Sequence, residues 1–277
     1  MIQPQYDVLK TAYRSDGVAL AKAALSAAEA RALQGTVEDL LSRHEETRPL
    51  GDDAVIVRYD GGAYFECLSR KFSKIRELIL ASNLPRLAST MLGVENVTLW
   101  RDEIHYKFGG VPKNATPWHH GAGSFPFVGE DVLTIWVALT DIGLTDAPLR
   151  TVTGSHRDAT VRFRPPTRDL TLPPIAGYAD PPDFDALGER GDVDLVTWLV
   201  EPGDAIMFHP FTVHGSYPNQ GLRPRMAFVT RWLGADARWA PDEYSVLDQS
   251  INEGSLIDGK PSGTYFPQVN VKDLAVL

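Results

Sequence analysis

The sequence predicts a mainly β domain, a sandwich or barrel, preceded by a helical segment. Two observations carry this. The first ninety residues place apolar side chains at helical spacing, and from residue 94 the texture changes to short runs of β-formers parted by Gly- and Pro-containing turns. The strands and helices do not alternate as a parallel α/β sheet would require. The chain has 277 residues, 43% of them hydrophobic and 23% charged, which is enough to bury a sizeable core. It reads as a single domain: helical support over 1–93, a β core over 94–235 and a tail over 236–277.

The elements follow in order. Ser26-Ala27-Ala28-Glu29 has the form of a capping box, with a hydroxyl at the cap and a carboxylate three residues on. Leu33, Val37, Leu40 and Leu41 continue it as one apolar stripe. A second helix fits Phe72, Ile75, Leu78 and Ile79. A third opens at Pro85 and stops at Gly93, the usual order of those two residues. Residues 97–108 are expected to be a strand with Arg101, Glu103, His105 and Lys107 on one face. Further strands are expected at 132–142, 149–153, 195–200, Ala205–Phe208 and Arg225–Leu233. The Pro-, Asp- and Gly-rich stretch 164–191 reads as a long loop, of the kind that often covers an active site.

Composition narrows the function. A formal net charge of -9 repels nucleic acid and anionic membranes, so neither is expected as a partner. The lone cysteine, Cys67, forms no internal disulfide and reads as a small core residue. No apolar run has the length of a membrane span, and the N-terminus lacks the form of a signal or transit peptide. The expected location is the cytoplasm and the expected partner a small molecule. No feature demands a carrier protein, and none sets the oligomeric state.

Seven histidines are present. His44 lies in a polar helix end, and His156 and His209 fit structural roles. Trp118-His119-His120-Gly121 and Val213-His214-Gly215-Ser216 are the segments with metal-binding potential, because imidazole suits divalent iron, copper, nickel and zinc. Ser216 follows His214 by two residues and Arg225 by eleven. An arginine behind a metal can grip a dicarboxylate through a bidentate pair. The plainer reading is that Arg225 only ends a strand.

Those segments resemble the phytanoyl-CoA dioxygenase family. The run from Gly203 to Ser216, with Asn219 and Arg225, is similar to the region of that family's distal histidine. Thr116-Pro117-Trp118-His119-His120, Phe125-Pro126-Phe127 and Trp136-Val137-Ala138-Leu139 are similar to that of its proximal histidine. Pro148-Leu149-Arg150, Gly154-Ser155-His156 and the opening Ser15-Asp16-Gly17 fit the same order. The resemblance implies a double-stranded β-helix, a cupin-like jelly-roll barrel, using Fe(II), 2-oxoglutarate and O2. His119 and His214 would hold the iron. Arg225 would grip the distal carboxylate of 2-oxoglutarate beside Ser216. Trp136 would line the cosubstrate pocket, and Lys107 matches a lysine on the strand before the metal motif.

The family pattern has an aspartate two residues after the first histidine. Here that residue is Gly121. Three readings follow. Chloride could take the open position, as in iron/2-oxoglutarate halogenases with Gly or Ala there. The product would then arise from hydrogen abstraction at an unactivated C–H bond and chloride rebound, and this is the preferred expectation. Water or another side chain could fill the gap in a hydroxylase or desaturase, although Glu130 and Asp131 are more readily caps of the next strand. Last, the chain could be a non-catalytic binding protein. For the substrate pocket, Arg157, Arg162 and Arg164 could meet an anionic group or, equally, be solvated loop charges, and Phe125, Phe127, Trp232 and Trp239 could line an apolar pocket, although most aromatic residues are simply core.

Overall fold

The computed structural model describes residues 3–165, 176–242, 245, 256–257, 259–261 and 266–274. Two antiparallel sheets form the centre. The larger runs in the order Val18–Ala21, Ala205–Phe208, Val132–Ala138, Arg225–Leu233, Asn96–Lys107, Gly62–Glu66, Ala54–Tyr59 and Arg48–Gly51, with Gln268–Asn270 added beside the start of Asn96–Lys107. The smaller runs Leu195–Trp198, Leu149–Val152, His214–Ser216, Thr116–His119. The chain passes repeatedly between the two sheets, which is the jelly-roll form of a double-stranded β-helix. Its hydrogen bonding does not close into a barrel. The strands of the smaller sheet have three or four residues, too short to carry the ladder round into the larger one.

Burial explains the strand patterns. All seven residues of Val132–Ala138 are buried, because that strand lies between neighbours and is covered on both faces. Leu133, Ile135 and Val137 face a core shared with Leu33, Leu87 and Met91 of the N-terminal helices. Trp136 and Ala138 face the other way, packing with Phe208, Ala227 and Val229 of their own sheet and Leu149 and Trp198 of the smaller one. The second cluster lies between the two sheets, where the site is built.

The helices at Ala27–Arg43, Ser73–Ala81 and Leu84–Leu92 lie where the sequence places them. Both hydrogen bonds of the Ser26/Glu29 capping box form, and Gly93 ends the third helix at φ 74°. The first ninety residues are not wholly helical, however. They contribute four strands to the large sheet, and Gln3–Asp16 forms a further helix. The hairpin Ala54–Tyr59/Gly62–Glu66 turns through Asp60-Gly61, a signal the apolar spacing did not carry. The stretch 164–191 is not structureless either: Tyr178–Ala179 pairs with Arg162–Phe163, and Phe184–Glu189 is a helix capped by Asp183. Residues 166–175 of that stretch, and 243–244, 246–255, 258, 262–265 and 275–277 of the tail, lie outside the described residues, so their expected role as a cover does too. Cys67 is buried, as expected.

Candidate metal and cosubstrate site

His119 ends its short strand directly opposite His214, and their ring centroids are 4.2 Å apart. Each ring is fixed by its own chain: Nδ1 of His119 lies 2.9 Å from the Pro117 carbonyl, and Nδ1 of His214 lies 2.8 Å from that of Thr212. With Nδ1–H donated to a carbonyl, the Nε2 lone pair of each imidazole is free for a metal. Burial lowers the pKa of His119 to about 4 and that of His214 well below its usual value, so both rings are neutral at neutral pH, the form that ligates. His120 points to the opposite face. Its Nε2 lies 3.0 Å from the Val161 carbonyl and 3.1 Å from the Phe163 N–H, and its ring stacks on Phe163. Adjacent strand residues diverge in this way because the pleat alternates.

Behind the pair, one row of the large sheet carries Lys107 and Arg225 side by side. Arg225 is 3% exposed, and its Nε and Nη1 have no hydrogen-bond partner. The guanidinium lies 5.4 Å from the Trp136 ring centroid. Lys107 is 4% exposed and donates to Ser216 Oγ at 2.6 Å. Burial, with Arg225 beside it, pulls the Lys107 pKa down to about 6. Burial also lowers that of Arg225 to about 10. No carboxylate among the described residues pairs with either cation. An unpaired buried donor costs roughly 1–3 kcal/mol, more when charged. A buried guanidinium without a partner, beside an amine that a negative charge would recharge, fits an anion. A carboxylate held by Arg225, Lys107 and Ser216, with Trp136 as a wall, would supply an acceptor for the unpartnered guanidinium.

Gly121 begins a buried 3-10 turn, Gly121–Gly123, that is anchored where Ala122 N–H donates to the Pro210 carbonyl at 2.9 Å. A Cβ at position 121 would lie 2.6 Å from Cζ of Phe125. The Phe125 ring is 4.5 Å below the guanidinium carbon of Arg231, and Arg231 is held by Glu103 at 2.8 Å. Among the described residues, no third His, Cys, Asp or Glu joins the histidine pair as a metal-binding group. Asp131 instead accepts from the backbone N–H of Asp236 at 3.1 Å, and the Glu130 carboxylate is 3.8 Å from His209.

The chain matches the phytanoyl-CoA dioxygenase family model over residues 13–227. It belongs to that family. A probable alpha-ketoglutarate-dependent hypophosphite dioxygenase of Stutzerimonas stutzeri is 24% identical over 60% of the chain; the match spans 55% of that protein's length. Among solved structures, the chain is similar to the non-heme alpha ketoglutarate dependent carbocyclase SnoK from nogalamycin biosynthesis. The identity is 26% and the TM-score 0.69, covering 95% of each chain. It is also similar to the epimerase SnoN in complex with Fe3+, alpha ketoglutarate and nogalamycin RO. Here the identity is 25% and the TM-score 0.71, covering 96% of this chain and 99% of that one. The family member described here keeps the jelly roll of these relatives.

Other expectations need correction. Arg162 is 2.9 Å from Asp242, Arg164 donates to Asp180 at 2.6 Å, and Arg157 is taken by the Ser15 carbonyl, so all three are already partnered. Phe125, Phe127 and Trp239 pack with Trp100, and Trp232 lies in the helix-side core. A further group is not legible in the sequence as a unit. Glu103 lies against Arg101 at 3.2 Å and His105 at 3.1 Å as well as Arg231, and Arg101 reaches Glu66 at 3.0 Å. The two-residue spacing of Arg101, Glu103 and His105 places them on one face, but the partners on other strands cannot be read from spacing. Burial raises the pKa of Glu103, but Arg231, Arg101 and His105 outweigh it and hold the carboxyl well below its usual range.

Proposed function

We propose that the protein is an Fe(II)/2-oxoglutarate-dependent oxidoreductase acting on a small molecule, with His119 and His214 as the iron ligands. The observation that carries this reading is the buried Lys107/Arg225 pair without a counter-ion, set behind two neutral histidines with free Nε2 atoms. Arg225, Lys107 and Ser216 would hold a carboxylate of 2-oxoglutarate, and Trp136 would wall its carbon chain. Iron with 2-oxoglutarate and O2 would supply an oxidant strong enough to break an unactivated C–H bond. The protein's part is to position: the Pro117 and Thr212 carbonyls set the ring orientations, and the apolar residues between the sheets keep water from the reacting groups.

Within that class, the absence of a carboxylate at Gly121 supports halogenation, with chloride at the position an aspartate would fill. Hydroxylation or desaturation is favoured by a different observation. The Phe125 ring occupies the space beside Gly121, so chloride would have to share it. The test is anaerobic reconstitution with Fe(II) and 2-oxoglutarate, followed by titration with chloride. A charge-transfer band that moves with chloride supports halogenation. A band indifferent to chloride supports the hydroxylase or desaturase reading. No band at all removes both and leaves a binding protein.

A further inference from the structure

The strands that carry the histidine pair inward carry a different set of side chains outward. Val152, Val213 and Trp118 alternate with Thr151, His214 and His119 and pack beneath the Phe184–Glu189 helix. Beside them a cavity of about 370 Å³ lies on the reverse face of the smaller sheet. Its aromatic wall is continuous. The His120 ring stacks on Phe163 at 4.8 Å and tilts against Phe211 at 5.2 Å, and Phe163 meets Phe184 edge-on at 6.1 Å. No Lys or Arg lines it, whereas Asp158, Asp192 and Asp194 do. Asp192 is paired with Arg190 at 2.9 Å, but Asp158 and Asp194 have no cation partner among the described residues.

Two polar atoms on this wall lack partners. His120 is 2% exposed, and its Nδ1 makes no hydrogen bond; neither does the buried Oγ1 of Thr153. Aromatic faces with a carboxylate rim attract an organic cation, while bare alkane would leave the carboxylates unused. The two orphan atoms call for a group that can both donate and accept, and a hydroxyl does so. We propose that this cavity is a second binding site, separate from the histidine pair, for a hydroxyl-bearing organic ammonium. The ammonium lies against the phenylalanine faces and the Asp194 side, and the hydroxyl meets His120 and Thr153.

Choline and its uncharged isostere 3,3-dimethylbutan-1-ol separate charge from shape, and tetramethylammonium removes the hydroxyl. Titration calorimetry on the full chain is expected to show choline binding about tenfold tighter than the isostere, the scale of a partly desolvated cation–aromatic contact. Tetramethylammonium is expected to bind several-fold more weakly than choline. Phe211→Leu and Asp194→Asn, at partly or fully exposed positions, are expected to weaken choline several-fold, whereas His119→Ala leaves it unchanged. The proposal is overturned if choline gives no binding heat or the isostere binds equally well. It is also overturned if Phe211→Leu and Asp194→Asn leave choline affinity intact. Loss of choline binding in His119→Ala would place it at the histidine pair and overturn the second site. None of these outcomes depends on whether the histidine pair holds iron.

Discussion

Gly121 is the residue at which sequence and structure say different things. In the sequence it is only a missing carboxylate. In the structure it is also a position with no room, because the clash with Phe125 begins at Cβ. Gly121→Ala is therefore expected to cost about as much as Gly121→Asp, on the order of 1–3 kcal/mol for overpacking a filled core, as read by thermal denaturation. A harmless Gly121→Ala would show that Phe125 moves freely. The same ring affects any attempt to restore a carboxylate ligand: Gly121→Asp is expected to reach the metal only when Phe125→Ala is made with it. Gain of iron affinity in the double variant, but not in the single one, is the measurement that checks this.

Lys107 makes a second prediction at this scale. Its folded pKa of about 6 lies below the ordinary lysine value of 10.5, because burial and Arg225 disfavour the charged form. Between those two values the unfolded chain binds more protons, so this group lowers stability as pH falls from about 10 to about 6 and adds no further change below that. A bound dicarboxylate reverses the disfavour and recharges the amine. At pH 8, binding of 2-oxoglutarate is expected to take up close to one proton, visible as a dependence of calorimetric heat on the ionisation heat of the buffer. Lys107→Met is expected to remove that dependence. Buffer-independent heat in the parent protein would contradict the neutral amine.

At the scale of elements, the short helix Phe184–Glu189 packs on the outer face of the smaller sheet and is tied to it by one carboxylate. Asp185 accepts from Trp118 Nε1 at 2.9 Å, Arg150 Nη1 at 2.6 Å and Tyr217 OH at 2.9 Å, and Arg150 lies between the Trp118 and Tyr217 rings. These three donors flank the strands that carry His119 and His214. Asp185→Asn keeps the shape but removes the charge facing Arg150, and is expected to cost roughly 2 kcal/mol in chemical denaturation, typical of a charged hydrogen bond. In the larger sheet, Glu103 is 8% exposed at its side chain and serves Arg101, Arg231 and His105 together. Glu103→Gln leaves buried guanidinium charge short of an opposite charge, and is expected to cost roughly 3 kcal/mol. A variant as stable as the parent would show that Arg101, through Glu66, and Arg231 are satisfied without Glu103.

Across the whole molecule, what could be read in the sequence followed periodicity. The strands Ala205–Phe208 and Arg225–Leu233 have the expected bounds, and the capping box and Gly93 mark true helix ends, because those signals are local. The early strands went unread because their short apolar runs compete with helical spacing in the same ninety residues. For the candidate site, the meeting of His119 with His214 and the Lys107–Arg225 row were accessible through the family resemblance. The Phe125 crowding and the charge network around Glu103 depend on which strands lie opposite, which a single sequence does not state. Among the described residues, no helix is long and apolar enough to cross a membrane.

The central claim is that two histidines and a cationic floor together bind iron and a dicarboxylate. Anaerobic titration of Fe(II) into the protein with 2-oxoglutarate, followed in the visible region, tests it most directly. The account predicts a charge-transfer band saturating at one iron per chain, abolished in His214→Ala and weakened in Arg225→Leu through loss of 2-oxoglutarate affinity. A parent protein without the band, or one whose band persists in His214→Ala, would contradict it.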